Sequence, residues 1–147
     1  MEVGILTLWN PQVMNLLAVE ATRHTLLVNM QIIGNTEVIL CTNVYGPQMV
    51  EEKRRMLLDL ENLKARSNNL HWILAGDFNI IMTLAEKKGG TRRLDRDAEY
   101  FSAFIDIVEM VDIKTSNGKF TWNNKQINQH HIAMRLDRFL VSESIIL

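Results

Sequence analysis

The first half of the chain alternates short apolar runs with turn-forming residues. The runs cover residues 3–9, 13–20, 25–33 and 37–45, and each is rich in Val, Ile, Leu or Thr. They are separated by Asn10-Pro11, by Arg23-His24 and by Gly34-Asn35. Such spacing is typical of strands joined by tight turns. The pattern therefore predicts four successive strands in an antiparallel meander.

A helical period replaces this alternation further along the chain. From Met49 to Lys64, apolar residues recur every three or four positions with charged residues between them, which predicts an amphipathic helix. The segment from Asp97 to Met110 has the same spacing, and its opening aspartate suits the positive end of a helix dipole. Further strands are predicted at Leu70–Ala75, Lys119–Trp122 and Arg135–Ser142. The predicted fold class is therefore α+β with layered sheets.

Length, composition and charge narrow the class of protein. A chain of 147 residues, 47% hydrophobic and 22% charged, is expected to form one globular domain. Neither a membrane span nor a secretory signal is expected from the sequence. The formal net charge of -1 gives no general attraction to nucleic acid, so local groups would have to hold a polyanion. The one cysteine, Cys41, excludes an intrachain disulfide and fits a reducing, intracellular compartment.

Two short motifs place polar side chains where predicted strands end. The run over residues 37–45 ends in Tyr45. A later buried strand ends in Gly-Asp-Phe-Asn, and an extended chain would present Asp77 and Asn79 on one side with Phe78 anchored on the other. A carboxylate beside an amide can hold or deprotonate water and can hydrogen-bond an oxyanion.

A third motif, Arg-Leu-Asp-Arg at residues 135–138, opens the last predicted strand. Asp137 falls on the same face as Phe139 and Val141, so its carboxylate is predicted to point into the protein. A buried carboxylate needs a partner. The alternative is a surface ion pair between Asp137 and a neighbouring arginine of the motif.

Several of these features also have a purely structural interpretation. Gly-Asp-Phe-Asn could be a turn that Asp77 caps, and Tyr45 could be a half-buried aromatic residue. Core positions are predicted for Trp9, Trp72 and Trp122.

Two polar clusters invite functional hypotheses that the pattern does not favour. A basic run consists of Lys87, Lys88, Arg92, Arg93 and Arg96, and a solvated loop is favoured over phosphate contacts. His130-His131 could suggest a metal site, but no carboxylate or cysteine stands at ligand spacing nearby. The two histidines are therefore predicted to lie in a polar loop.

Taken in order, the motifs resemble those of the endonuclease/exonuclease/phosphatase family, which includes exonuclease III, abasic-site endonucleases and DNase I. The matching segments are residues 43–47 (Asn-Val-Tyr-Gly-Pro), 76–79, 120–122 (Phe-Thr-Trp) and 135–138. Residues 86–93 and 120–124 look most like the endonuclease domain of plant LINE-type (non-LTR) retrotransposons. The resemblance implies a DNase I-like fold, in which two sheets are sandwiched between helices. It also implies hydrolysis of phosphodiesters with Mg²⁺ and a DNA partner.

The resemblance further implies roles for individual residues. Asp77 would orient or deprotonate the attacking water, and it is the candidate metal ligand. Tyr45 and Asn79 would contact the scissile phosphate. Asp137 matches the aspartate that orients a catalytic histidine in the family, as in other hydrolases. Further substrate contacts would come from Asn43, Trp122, Arg92 and Arg93.

The same resemblance implies that residues 1–147 form a partial domain. In the family, a Gln-Glu strand with the principal metal carboxylate would precede Gly4, and a Ser-Asp-His segment with the catalytic histidine would follow Leu147. The chain is therefore expected to be an inactive fragment of a retroelement endonuclease, intracellular, with the nucleus as the compartment of its target. The alternatives are a decayed relic or phosphate-binding module, and a phosphatase of small phosphoesters or phosphoinositides on the same fold.

Overall fold

The computed structural model describes residues 4–67 and 71–146, and within them it has two β-sheets and three α-helices. The strands are β1 (Met14–Ala21), β2 (Thr25–Ile32), β3 (Val38–Tyr45), β4 (His71–Asp77), β5 (Lys87–Lys88), β6 (Met110–Asp112), β7 (Trp122–Asn123), β8 (Ala133–Met134) and β9 (Asp137–Ser142). The helices are α1 (Val50–Arg66), α2 (Arg96–Val108) and α3 (Glu143–Ile146). None of the helices in these residues is long and apolar enough to cross a membrane.

The larger sheet has the strand order β1-β2-β3-β4-β9-β6, and the smaller sheet has the order β5-β8-β7. β3 and β4 are parallel, and α1 makes the crossover between them, whereas the other pairs are antiparallel. β1 is an edge strand that exposes apolar side chains such as Leu17 and Val19. The predicted class, α+β with layered sheets, is confirmed.

The core lies between one face of the larger sheet and helices α1 and α2. Its largest fully buried side chains are Trp72, Phe78, Phe101, Phe104, Leu74, Ile80, Leu140 and Val108. The rings of Phe78 and Phe101 lie 5.1 Å apart between centroids, so the residue after β4 packs directly on α2. Burial of such side chains contributes roughly 1.5–3 kcal/mol each.

Three of the four predicted opening strands form, but the first does not. Residues 4–10 have no strand structure, and Leu6 and Leu8 are 74% and 81% exposed. Residue 3 lies outside the described residues, as does Leu70 of a later predicted strand. Alternating residue types become a strand only beside a partner with free backbone groups, and β2 already pairs with β1 and β3 on its two edges.

The last predicted strands are shorter than the pattern indicated. The prediction at Lys119–Trp122 becomes Trp122–Asn123, and β9 begins at Asp137 rather than at Arg135. The reason is that the backbone groups just before β9 form hydrogen bonds with other segments of the chain. The Arg135 N–H donates to the Glu86 carbonyl at 2.9 Å, and the Leu136 carbonyl accepts from Phe78 N–H at 2.9 Å.

The prediction that all three tryptophans are core residues is wrong for two of them. Trp72 is 1% exposed, and its indole N–H donates to Thr42 Oγ1 at 2.9 Å. Trp9 and Trp122 are each 40% exposed. Trp9 lies in the segment that forms no strand, and Trp122 lies on an edge strand of the small sheet.

Candidate functional site

Three side chains form a row across neighbouring strands of the larger sheet. Tyr45 at the end of β3 pairs with Asp77 at the end of β4, and Asp77 pairs with Asp137, the first residue of β9. Paired residues of adjacent strands point to the same face and lie about 5 Å apart. This row, Tyr45-Asp77-Asp137, therefore presents a phenol and two carboxylates together.

Two glycines allow the ends of β3 and β4 to approach each other closely. A Cβ atom on Gly76 would collide with the carbonyl oxygen of Val44, and Gly76 has a φ of +136° that side chains rarely permit. A Cβ atom on Gly46 would collide with the backbone of Phe78. The glycines of the two sequence motifs are therefore required by the packing of the two strand ends.

Asn79 ties the end of β4 to the end of β3. Its backbone N–H donates to Asp77 Oδ1 at 2.8 Å, and its side-chain Nδ2 donates to the Gly46 carbonyl oxygen at 2.5 Å. Asn79 has a φ of 54°, so residues 77–79 are not extended as predicted. The buried Phe78 is an anchor, as expected. Asp77 caps a turn here, which confirms the structural interpretation of Gly-Asp-Phe-Asn.

Asp137 does not point into the core, contrary to the prediction. Asp137 and Phe139 are exposed, whereas Leu136, Arg138 and Leu140 are buried. The inward and outward faces of β9 are the reverse of those predicted. Glu86 and Asp112 neutralise Arg138 inside the protein, so Arg138 can face the helices. The alternative prediction, an ion pair between Asp137 and a neighbouring arginine, is also wrong, since both arginines turn to other carboxylates.

Those carboxylates and the two arginines form a buried charge cluster of Glu86, Asp112, Arg135 and Arg138. Arg135 lies 3.0 Å from Glu86 and 2.7 Å from Asp112, and Arg138 lies 2.5 Å from Glu86 and 3.1 Å from Asp112. The Arg138 guanidinium also sits 5.0 Å from the ring centre of Phe101. Burial alone would raise the pKa of Glu86, but the hydrogen bonds and charges of the arginines, with one backbone N–H, hold that pKa at about 2.

Asp77 has a raised pKa, chiefly because it is partly buried and also because Asp137 repels its negative charge. The Asn79 N–H and the Lys53 ammonium lower the pKa in part. Lys53 itself is buried on α1, with Nζ 2.7 Å from Asp97 Oδ2 on α2. A carboxylate with a raised pKa is a stronger base than an ordinary one.

Asn43 and Trp122 lie close to the row. Asn43 is on the face of β3 that carries the row, and its Nδ2 donates to the Leu6 carbonyl oxygen at 3.2 Å. Trp122 directly follows Thr121, whose hydroxyl oxygen accepts the backbone N–H of Asp137 at 3.0 Å. The structure therefore brings both residues into the neighbourhood of Asp77.

Arg92 and Arg93 lie in the exposed loop between β5 and α2, on the far side of the small sheet from Trp122. Arg92 donates to the carbonyl oxygens of Lys87 and Leu84 at 2.8 and 3.0 Å. Within residues 4–67 and 71–146, no hydrogen bond joins either arginine to the row. Arg92 therefore organises its own loop, which agrees with the solvated-loop interpretation.

His130 and His131 belong to the loop between β7 and β8. His130 ends a short 3-10 turn, and its carbonyl oxygen accepts from Asn124 Nδ2 at 2.8 Å. The described part of the chain contains no group of three or more His, Cys, Asp or Glu residues that could hold a metal ion. The donors available at the row are the two carboxylates of Asp77 and Asp137.

Sequence reasoning missed two residues that shape the site, Thr121 and Glu86. Thr121 lies in the Phe-Thr-Trp segment, but nothing in that segment indicates the contact of its hydroxyl with residues 136 and 137. Arg135 and Arg138, at the start of a largely apolar segment, could have indicated buried cations that require carboxylates. The identity of the acid was not readable from spacing, because Glu86 lies 49 residues from Arg135.

Comparison with known proteins identifies the family of the chain. The profile of the endonuclease/exonuclease/phosphatase family matches residues 5–146. Among curated proteins, no significant match was found.

Three solved structures illustrate the likeness of fold. The endonuclease domain of TRAS1, a telomere-specific non-LTR retrotransposon, has a TM-score of 0.65 and 14% identity, over 85% of this chain and 53% of that one. A family protein from Bacteroides thetaiotaomicron has a TM-score of 0.62 and 13% identity, over 92% and 54%. D. rerio TDP2 complexed with a single-strand DNA product has a TM-score of 0.56 and 15% identity, over 89% and 54%.

The present chain thus spans about half the length of the solved structures that it matches. The architecture they share with it is the DNase I-like fold. Because the family profile covers nearly the whole chain, the protein belongs to the endonuclease/exonuclease/phosphatase family.

Proposed function

We propose that residues 1–147 are part of a Mg²⁺-dependent endonuclease domain of a retroelement, which hydrolyses phosphodiester bonds in DNA. The observation that carries the proposal is the row Tyr45-Asp77-Asp137, assembled at the ends of three neighbouring strands. Family membership supports phosphoester hydrolysis as the reaction class. The likeness in fold to a retrotransposon endonuclease favours DNA as the substrate.

In this proposal Asp77 orients or deprotonates the attacking water. It lies in the middle of the row, between Tyr45 and Asp137, where a water molecule bound at the row would be within its reach. One of its oxygens is already held by the Asn79 N–H at 2.8 Å, which restrains the rotation of the carboxylate. The other oxygen is the one proposed to face water.

Tyr45 and Asn79 would bind the scissile phosphate near Asp77. Tyr45 is 39% exposed, so its hydroxyl can donate to a phosphate oxygen. The Asn79 amide uses one donor on the Gly46 carbonyl and has a second N–H for a ligand. Asn43 is proposed as a further contributor, and exposed Trp122 as a surface for a base or sugar.

The donor set at the row fits Mg²⁺, because this ion takes one or two carboxylates and keeps most other positions for water and phosphate oxygens. Asp77 and Asp137 would hold it, since the repulsion that raises the Asp77 pKa is relieved by a cation. When bound, Mg²⁺ would supply positive charge to the phosphate oxygens. Asp137 would additionally orient an imidazole, as the family resemblance implies, and Arg93 is proposed as an outer DNA contact.

The first test measures whether Mg²⁺ strengthens binding of a short fluorescent DNA duplex, by anisotropy in Mg²⁺ or in EDTA. The proteins are the wild type, Asp77→Asn, and Asp106→Asn as a matched control, because Asp106 is exposed on α2. We expect Mg²⁺ to strengthen binding of the wild type and the control but not of Asp77→Asn. Equal binding of the wild type with and without Mg²⁺ would contradict the proposal.

A second test follows nicking of supercoiled plasmid and hydrolysis of p-nitrophenyl phosphate by the same three proteins. We expect binding without nicking from the 147 residues alone, following the expectation of a partial domain. Nicking that disappears in Asp77→Asn would show that these residues suffice for catalysis. Hydrolysis of the small phosphoester without DNA binding would instead favour a phosphatase.

A further inference from the structure

A cavity of about 510 Å³ opens beside the buried charge cluster. Residues 82–86 form one wall, residues 114–119 form most of the other, and Arg135 lies at its floor. We name it the lysine cavity after Lys114 and Lys119, which stand at its rim. It is distinct from the row, since Tyr45, Asp77 and Asp137 do not line it.

The lysine cavity is positively charged overall. Its lining contributes Lys114, Lys119, Arg135 and Glu86, and Asp112 and Arg138 stand behind it in the buried charge cluster. Four cations and two carboxylates leave a formal charge of +2. The two arginines and the two carboxylates neutralise each other, so the net charge of +2 belongs to Lys114 and Lys119.

The two lysines are free to move toward a ligand. Lys114 contacts Asp112 at 3.1 Å, but its side chain is 68% exposed. Lys119 is exposed, with its ammonium 5.8 Å from the ring centre of Phe120. Asp112 keeps its contacts with Arg135 and Arg138 when Lys114 turns away, so Lys114 can leave Asp112 for a phosphate oxygen. Ser116 adds a neutral hydroxyl donor to the same wall.

The lysine cavity also lies close to the row along the backbone. Arg135 precedes Asp137 by two residues, a span of at most about 7 Å in extended chain. The Thr121 hydroxyl accepts the N–H groups of Leu136 and Asp137 at 3.0 Å each, which ties the loop carrying the lysines to the start of β9. Residues 121 and 135–137 therefore connect the lysine cavity to the row.

We propose that the lysine cavity binds a non-scissile backbone phosphate of the DNA strand that is cut at the row. This inference rests on the proposed function, and it assigns to Lys114 and Lys119 a contact that positions the strand without reading its sequence. The two ammonium groups pair with the phosphate oxygens, and the Ser116 hydroxyl adds a neutral donor beside them.

The test is the salt dependence of duplex binding by the full 147-residue chain. Lys114→Gln/Lys119→Gln is compared with wild type and with Lys64→Gln/Arg66→Gln, which removes the same charge from the last turn of α1. α1 starts near the row and spans roughly 25 Å at 1.5 Å per residue, so the control charges lie far away. We expect the slope of log K against log salt to become shallower by about 1 for the cavity variant.

We also expect that loss to be the same for duplexes of different sequence, since phosphate contacts carry no sequence information. Thermal melting will check that both double variants remain folded. An unchanged slope in the cavity variant, with wild type still binding DNA through Mg²⁺ and Asp77, would overturn this inference and leave the proposed function standing. An equal loss in the control variant would also overturn it. No DNA binding by wild type would refute both.

Discussion

Replacing Glu86 by glutamine should destabilise the protein far more than an ordinary charge removal. Glu86 accepts from Arg135, from Arg138 and from the Met82 N–H at 2.7 Å, and glutamine keeps the shape of the side chain but not its charge. The fall of the Glu86 pKa from 4.5 to about 2 corresponds to about 3 kcal/mol at 1.36 kcal/mol per pH unit. Loss of one partner of a buried ion pair typically costs about 3–5 kcal/mol, a range that includes the value obtained from the pKa.

The assay is urea denaturation at neutral pH, followed by tryptophan fluorescence. Glu51→Gln is the matched control, because Glu51 is exposed and its nearest ion-pair partner, Arg54, is 3.9 Å away. We expect the free energy of unfolding to fall by about 3 kcal/mol in Glu86→Gln and by less than about 0.5 kcal/mol in the control.

The pH dependence gives a second check on Glu86. A carboxyl whose pKa is lowered by folding stabilises the protein above its ordinary pKa, and this stabilisation is lost as the pH falls toward the folded-state pKa. The difference in stability between wild type and Glu86→Gln should therefore shrink between about pH 4.5 and about pH 2. A difference below about 0.5 kcal/mol at neutral pH, or a difference that does not shrink in acid, would refute the reasoning.

Three further predictions concern the backbone, the core and the sheet edge. Gly76→Ala should prevent folding or lower the melting temperature steeply. The control Gly34→Ala, also at positive φ but in open space, should cost only about 1 kcal/mol of stability. Similar melting temperatures of the two variants would count against the close approach of β3 and β4. Leu140→Ala should cost roughly 2–5 kcal/mol in urea denaturation, since Leu140 is fully buried, and a smaller loss would mean that the core closes around the gap. The isolated chain should self-associate through β1, which sedimentation velocity can measure. Val19 is 56% exposed on this edge strand, so Val19→Lys should reduce the association. An unchanged mass distribution would indicate that another surface is responsible.

Much of the sheet could be predicted from the sequence because its central strands carry their own signals. β2 and β3 match the apolar runs at residues 25–33 and 37–45 closely, and α1 and α2 match the helical periods. Gly76 has a positive φ, which is a local requirement, whereas Gly46 is required by its contact with the Phe78 backbone at the neighbouring strand end. Local signals of this kind predict a strand correctly when the rest of the fold supplies pairing partners on both sides of it.

The orientation of β9 could not be predicted, because it depends on a distant residue. The alternation of β9 is ambiguous on hydrophobicity alone, with Phe139 on one face and Leu140 on the other. Arg138 decides between the faces, and it does so only because Glu86 and Asp112 meet it inside the protein. Ion pairs across such sequence separations leave no trace in local periodicity.

The strand order of the larger sheet has a consequence for how the chain folds during synthesis. β9 lies between β4 and β6, so the last of the described strands to be synthesised is placed in the interior of the sheet. β6 joins the larger sheet through β9 alone among the described strands. A nascent chain ending before Asp137 would therefore have β4 as an open edge and β6 undocked, and contacts this far apart in sequence form slowly. The row becomes complete only when β9 has left the ribosome and paired with β4, so a nascent chain that ends before β9 lacks the carboxylate that stands beside Asp77.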